Sequence, residues 1–171
     1  MKGLQRTMSR GGVQRQEVIR QAIAVSAKAI TTVNGASGVG YATAVIGDLP
    51  EGNILFLGAV SYMQFTKASS ASGITATFDG DYSVGSTATG DATLSGSDVD
   101  IIASSALGAA TAGVSPVARG ANATQAILDN TDGSLELNLN LIIDDATISA
   151  DTQALTVTGV LHIAYIVLGD D

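Results

Sequence analysis

An alternation of apolar and polar residues near the C-terminus constrains this 171-residue chain more than any other feature. Apolar side chains occupy every second position from Leu135 to Ile143, and Glu136, Asn138 and Asn140 stand between them. Successive side chains of a strand point to opposite faces of a sheet, so a period of two indicates one buried and one wet face. The stretch is therefore predicted to be a long, half-buried strand.

A second strand is predicted in the last segment of the chain, joined to the first by a short acidic connection. One face of the segment from Val157 to Val167 is apolar throughout, whereas the other face begins with Thr156 and ends with Ile166 and Leu168. A strand that is apolar on both faces needs a second layer or a neighbouring subunit to cover it. The chain is therefore predicted to be all-β, an antiparallel, jelly-roll-like β-sandwich with a surface available to a partner.

The rest of the chain predicts shorter strands between turns rich in glycine, aspartate and proline, as is typical of sandwiches and jelly rolls. The predicted strands span residues 22–33, 39–47, 53–67, 74–78, 82–89 and 124–129. Turns are predicted at residues 34–38, 48–52 and 79–81, and a long loop of small residues at 103–123. The segment 53–67 is apolar on both faces, so we expect it to be central or interfacial.

Length and composition indicate one domain that folds without disulfides or metals. A chain of this length buries roughly 70% of its unfolded surface. Cysteine is absent, which excludes disulfide scaffolds, zinc-thiolate sites and thiol catalysis. The sequence has neither a long apolar run nor an apolar signal segment, so we expect no membrane association and synthesis in a cytoplasm. Residues 21–171 are assigned to a single β-sandwich domain that follows an arm at 1–20.

Basic residues are concentrated in this N-terminal arm, whereas the body of the chain is acidic. The net charge is −8, yet six of the eight lysines and arginines precede residue 29, where Glu17 is the only acid. Such an arm can bind an acidic protein surface or nucleic acid. We favour a protein partner, because the arm is sparse in charge and lacks aromatic side chains for base stacking. The predicted partner-binding residues are Lys2, Arg6, Arg10, Arg15 and Arg20.

No residue pattern predicts a catalytic centre or a cofactor. His162 is the only histidine and lies within a predicted strand, without a nucleophile motif, so a structural or interfacial role is predicted. Absence of tryptophan disfavours a saccharide-cleaving cleft. Turn aspartates could supply calcium ligands, but commonly cap their own backbone, and none follows EF-hand spacing. The aspartate pairs in question are Asp79 and Asp81, Asp98 and Asp100, and Asp144 and Asp145.

Two segments share a pattern of predicted strands separated by turns. They are Gly38–Gly58, GVGYATAVIGDLPEGNILFLG, and Thr158–Asp170, TGVLHIAYIVLGD. Together they resemble the head decoration, or cement, proteins of tailed bacteriophages. The resemblance implies a β-sandwich, often trimeric, on the outer face of a capsid at three-fold positions, where it bridges neighbouring capsomers. It implies no catalytic residues.

The expected function is that of a structural virion protein, made in the host cytoplasm and placed on the capsid exterior. The expected partners are the major capsid protein and further copies of the chain in a homotrimer, with no membrane and no enzymatic activity. Two alternatives stay open. One is a tail-tube, baseplate or receptor-binding fibre subunit, and the other is an enzyme or calcium-dependent carbohydrate-binding module.

Overall fold

The fold is described here from a computed structural model of the chain, over residues 17–35, 38–71, 73–123, 127–144 and 153–169. Across those ranges it consists of nine strands and one 3-10 turn, Gly96–Asp98. The strands are β1 Ile19–Asn34, β2 Val39–Asp48, β3 Gly52–Lys67, β4 Asp79–Gly85, β5 Ile102–Ala106, β6 Ala118–Ala121, β7 Ile127–Asn130, β8 Glu136–Asp144 and β9 Gln153–Gly169. The predicted all-β class is confirmed.

The strands form two antiparallel sheets around one core. Sheet A contains β1, β9 and β3 in that order, with β6 and β7 both paired to the far edge of β3. Sheet B contains β2, β8, β4 and β5 in that order. The β1–β2 hairpin joins the sheets at one side, and a bridge between Ile102 and Asn122 joins them at the other. The result is a nearly closed, jelly-roll-like β-sandwich, as predicted.

Alternating side chains from β8 and β9 fill much of the core. The two strands do not pair with each other, because β8 lies between β2 and β4 in sheet B and β9 lies between β1 and β3 in sheet A. Their inward side chains therefore meet across the sandwich. The buried members of this set are Leu137, Leu139, Leu141, Ile143, Leu155, Val157, Leu161, Ile163 and Tyr165.

A hydroxyl network at the centre of the core links the two sheets. The hydroxyl of Tyr82 on β4 lies 2.9 Å from the hydroxyl of Ser61 on β3 and donates to the Ala118 carbonyl of β6 at 3.3 Å. The ring of Phe65 lies beside the Tyr82 ring, with 5.7 Å between the centroids. Burial raises the pKa of the Tyr82 hydroxyl. Within the described residues, every buried side-chain nitrogen and oxygen has a hydrogen-bond partner.

The predicted strand at 74–78 is wrong. Ile74 and Phe78 are buried, but the segment between them turns, and its backbone bonds with a neighbouring loop. The Ala110 N–H donates to the Phe78 carbonyl and the Gly113 N–H donates to the Ala76 carbonyl, each at 2.8 Å. The alternation in this stretch therefore reflects two separate core anchors, not a continuous strand.

The predicted turn at 79–81 is also wrong, because these residues begin β4. Gly80 has a φ of +143°, and a Cβ atom there would collide with the Ile142 carbonyl oxygen of β8. Glycine is required here because the backbones of two paired strands approach closely. Such close approach is a common reason for glycine within a strand.

The predicted long loop at 103–123 contains most of β5 and all of β6. These strands carry alanine, serine and glycine at alternating positions, with Ala118 and Gly120 buried and Arg119 exposed between them. Small side chains produce no contrast in hydrophobicity, so the alternation is invisible in the sequence. The strand predicted at 124–129 corresponds to β7, with residues 124–126 outside the described ranges.

The predicted N-terminal arm lies mostly outside the described residues. Lys2, Arg6, Arg10 and Arg15 precede Glu17, where the description begins, so the partner-binding role assigned to them stays a prediction. The arm was predicted to reach residue 20, whereas β1 begins at Ile19. Arg20 is therefore part of sheet A.

Replacement of Gly120 by alanine is expected to destabilise the fold by about 1–3 kcal/mol, the usual cost of overpacking. A Cβ atom at this position would lie 2.7 Å from the Tyr82 hydroxyl oxygen and would also crowd Ser61 and Ile102. Urea unfolding measures the change. Gly58→Ala is the matched control, since a Cβ atom there meets nothing within 4 Å. The control is expected to be neutral or stabilising by up to about 1 kcal/mol, and equal losses in both variants would contradict this account of the core.

Candidate interaction surface

The outer face of sheet A contains a shallow groove of about 440 Å³ where β1, β9 and β3 run side by side. Ala164 of β9 pairs with Arg20 of β1 on one side and with Gly58 of β3 on the other. Two residues earlier in β9, and on the same side of the sheet, His162 pairs with Ala22 of β1. The small residues Ala22, Ala164 and Gly58, one from each strand, therefore leave the sheet surface uncovered and form the floor of the groove.

A bulge in β3 places Gly58 in this row. The pairing of β3 with β9 shifts between Phe56 and Gly58, so the alternation of β3 changes phase at that point. Phe56 and Ala59 then both contribute to the core, while Gly58 borders the groove. Bulges re-aim side chains in this manner at sheet positions where a surface is shaped.

Large apolar side chains surround the groove on the same outer side of sheet A. Ile127 is 61% exposed, Tyr62 is 41% exposed and Leu168 is 38% exposed. The strand register places these residues beside outward-facing, partly exposed residues of β3 and β9. We call this set the apolar face, and it consists of Leu55, Val60, Tyr62, Ile127, Val160, Ile166 and Leu168. The second, apolar side of β9 that the sequence predicted forms part of this face.

Basic groups lie on two sides of the apolar face. Arg20 lines the groove on the β1 side, and Arg119 of β6 pairs with Tyr62 on the opposite side. Both arginines are exposed, as is His162 within the groove. Asp129 lies at the edge of the same face, where its carboxylate accepts from the Thr131 N–H at 3.2 Å and hydroxyl at 2.8 Å. The face is therefore apolar with a mainly basic rim.

The outer face of sheet B has the opposite charge. Asp79 of β4 pairs with Asp144 of β8, and both line a groove of about 220 Å³ together with Asp81. Asp81 and Asp144 also line an adjoining groove of about 360 Å³. The apolar residues of the second groove include Val39, Leu94 and Ile142. We call this surface the acidic face, and it combines three carboxylates with an apolar floor.

The aspartates proposed as calcium ligands have different surroundings in the structure. Within the described ranges, no group of three or more His, Cys, Asp and Glu residues is arranged to hold a metal ion. Asp100 instead accepts hydrogen bonds from the Ser86 N–H at 2.8 Å and hydroxyl at 2.6 Å. Asp132, which is not among the predicted pairs, accepts from the N–H and hydroxyl of Ser134 at 3.0 and 2.7 Å. Capping of the neighbouring backbone is thus observed at Asp132, whereas Asp100 binds a serine 14 residues away, and Asp145 lies outside the described residues.

Asp100 and Asp132 differ in the direction of their pKa shifts. Burial raises the pKa of the Asp100 carboxyl, although the hydrogen bonds from Ser86 oppose this effect. Hydrogen bonds from Ser134 lower the pKa of the exposed Asp132 carboxyl. A pair of serine hydrogen bonds therefore accompanies a raised pKa in the partly buried carboxyl of Asp100 and a lowered pKa in the exposed carboxyl of Asp132.

Sequence reasoning missed the groove itself. Its residues come from three strands that are distant in the chain, and only the pairing of β1 and β3 with β9 brings them together. The one local signal was Gly58 in the interior of a long strand, a position where glycine often marks a bulge or a close approach. Of the predicted binding residues, Arg20 alone falls within the described structure, and it lines the groove.

No protein-family model matches the chain, and no curated protein matches it. Among solved structures, a chain in the structure of infectious bursal disease virus Gx strain is similar, with 12% sequence identity and a TM-score of 0.43. The alignment covers 86% of this chain and 32% of the viral chain, so this chain spans about a third of that protein's length. Along the described stretches, no helix has the length and apolar character required to span a membrane.

Asp100→Asn and Asp132→Asn are expected to change the pH dependence of stability in opposite directions. The folded-state pKa of Asp100 is raised, so its proton stabilises the fold below the unfolded value of about 3.9 and this contribution is lost as the pH rises. The folded-state pKa of Asp132 is lowered, so its contribution is present above the unfolded pKa and is lost as the pH falls through the folded pKa.

Urea unfolding of both variants and the wild type between pH 3 and 7 measures this difference. Relative to the wild type, Asp100→Asn should gain stability and Asp132→Asn should lose stability as the pH rises. Slopes of the same sign in the two variants would contradict the assignment.

Proposed function

We propose that the chain is a structural virion subunit that decorates the exterior of a tailed-bacteriophage capsid and stabilises it by bridging capsomers. The observation that carries the proposal is the apolar face of sheet A, with Ile127, Tyr62 and Leu168 exposed around an open groove. Soluble monomers seldom expose large contiguous apolar patches, and such patches commonly mark protein interaction sites. The surface therefore suits contact with another protein, and no catalytic role is proposed.

The two outer faces also suit a subunit that touches more than one neighbour. The apolar face has a basic rim with Arg20 and Arg119, whereas the acidic face carries Asp79, Asp81 and Asp144. A rigid sandwich with two chemically different sides can bridge two molecules at once. In a symmetric shell each weak contact is repeated many times, so modest individual affinities give a stable assembly.

The basic arm is proposed to bind the major capsid protein. Lys2, Arg6, Arg10 and Arg15 lie in the stretch that precedes the acidic body, and this separation of charge favours an acidic partner surface. The resemblance of Gly38–Gly58 and Thr158–Asp170 to phage cement proteins supports a capsid as that partner. A tail, baseplate or fibre subunit would need similar surfaces, and particle location distinguishes these candidates.

Neutralisation of the arm is expected to weaken capsid binding in the full chain. Arg15→Gln should reduce co-sedimentation with undecorated phage capsids, and the reduction should be smaller at high salt, where exposed charges are screened. Lys28→Gln is the matched control, because Lys28 is an exposed base within β1. Combined neutralisation of Lys2, Arg6, Arg10 and Arg15 should lower binding at least about tenfold. Undiminished binding of this combined variant would exclude the arm from the contact.

Calcium is expected to leave the stability of the protein unchanged. A ligand at concentration L that binds only the folded state stabilises it by RT ln(1 + L/Kd), so the melting temperature rises with the logarithm of the ligand concentration once this exceeds the dissociation constant. Thermal unfolding with calcium or with chelator tests the carbohydrate-module alternative. A clear rise in melting temperature with calcium that Asp81→Asn abolishes would support that alternative over a capsid role.

A further inference from the structure

We infer that the apolar face of sheet A in one subunit packs against the acidic face of sheet B in a second copy of the same chain. The inference rests on the proposed function, in which the chain acts as a repeated structural subunit, and it names one partner of that subunit. The two faces lie on opposite outer sides of one sandwich, so a contact between them joins two molecules. Each copy then offers one surface of each kind.

Charge disfavours a contact between two identical apolar faces. Such a contact would bring Arg20 and Arg119 of each copy to the same interface, with Asp129 as the carboxylate at the edge. Thr131 binds one oxygen of that carboxylate, and a single carboxylate in each copy cannot balance two arginines. Like charges at a shared interface oppose association. A two-fold dimer through this face therefore has unfavourable electrostatics.

The acidic face complements the apolar face in charge and in hydrophobic character. Asp79, Asp81 and Asp144 supply carboxylates that can pair with Arg20 and Arg119, and arginine–carboxylate pairs are among the stronger charge-assisted hydrogen bonds. Beside these carboxylates, Val39, Leu94 and Ile142 provide an apolar surface for the apolar face. Both the charge and the hydrophobic character of the two surfaces are therefore complementary.

A contact between unlike faces has a definite consequence for assembly. Because each subunit uses a different face toward each of two neighbours, the contact is heterologous, and repetition gives an open stack, or a closed ring where the rotation between neighbours closes. The predicted homotrimer would require the two faces to be inclined to each other so that three contacts complete one turn. The same geometry excludes a dimer with two-fold symmetry through these surfaces.

Charge reversal in the full-length protein tests the inference by light scattering at several protein concentrations. The variant Arg20→Glu with Arg119→Glu and the variant Asp81→Arg with Asp144→Arg should each weaken self-association at least about tenfold. The variant with all four reversals should recover it, because the charges are again complementary. Lys28→Glu is the control for reversal of an exposed base, since Lys28 is exposed and belongs to neither the apolar face nor the acidic face. Circular dichroism confirms that each variant folds.

Several outcomes overturn the inference. They are a wild-type monomer at every concentration, assembly unaffected by both reversals, failure of the fourfold variant to recover while it remains folded, and stronger assembly on reversal of the arginines alone. Assembly that responds only to neutralisation of Lys2, Arg6, Arg10 and Arg15 would assign the contact to the arm and also overturn it. Co-sedimentation with capsids separates this result from the proposed function. A monomer that binds capsids would contradict the inference alone. An assembled protein that does not bind capsids would contradict the capsid role alone.

Discussion

A buried pair of hydroxyl groups sets the relation between the two sheets. Tyr82 reaches from sheet B to Ser61 and to the backbone of β6 in sheet A, and Gly120 leaves the space that the Tyr82 hydroxyl occupies. Because Ser61 faces the core, its neighbour Tyr62 has to face solvent, and the same alternation turns Val60 outward. The position of the apolar face is thus a consequence of how the core closes. Strand β3 thus contributes a polar contact to the centre of the sandwich on one side and part of the apolar face on the other.

The sequence predicted those elements in which large apolar residues contrast with polar neighbours. The leucines of β8 carry such contrast, β3 is recognisable as a long run of large apolar residues on both faces, and the turn at 34–38 separates β1 from β2; the structure confirms all three. Strands built from small residues, such as β6, give no contrast and were assigned to a loop. Glycine was the other source of error, since Gly80 was interpreted as a turn residue although its role is to let β4 approach β8. Steric closeness between strands depends on pairing, which a local pattern does not contain.

The surface was predictable only in part. That the end of β9 is apolar on both sides was evident from Ile166 and Leu168, and this indicated a need for a partner. Which residues would stand beside them was not evident, because β9 pairs with β1 and β3, whereas its neighbour in the sequence, β8, lies in the other sheet. His162 and Arg20 illustrate the point, since each is conspicuous as a residue type and only long-range pairing places both in one groove.

Strand β1 has a mechanical consequence for any partner that holds the chain ahead of Glu17. The strand pairs with β9 from Ile19 to Thr32, interrupted by a bulge where Ala27 adopts a φ of +46° and its N–H donates to the Thr158 hydroxyl. Antiparallel hydrogen bonds run perpendicular to the strands. Tension applied along β1 would therefore load many of these bonds together in shear and would not open them one at a time. The strand then passes into the hairpin with β2, so the load is shared by both sheets, and the fold can serve as a strong anchor for a tether.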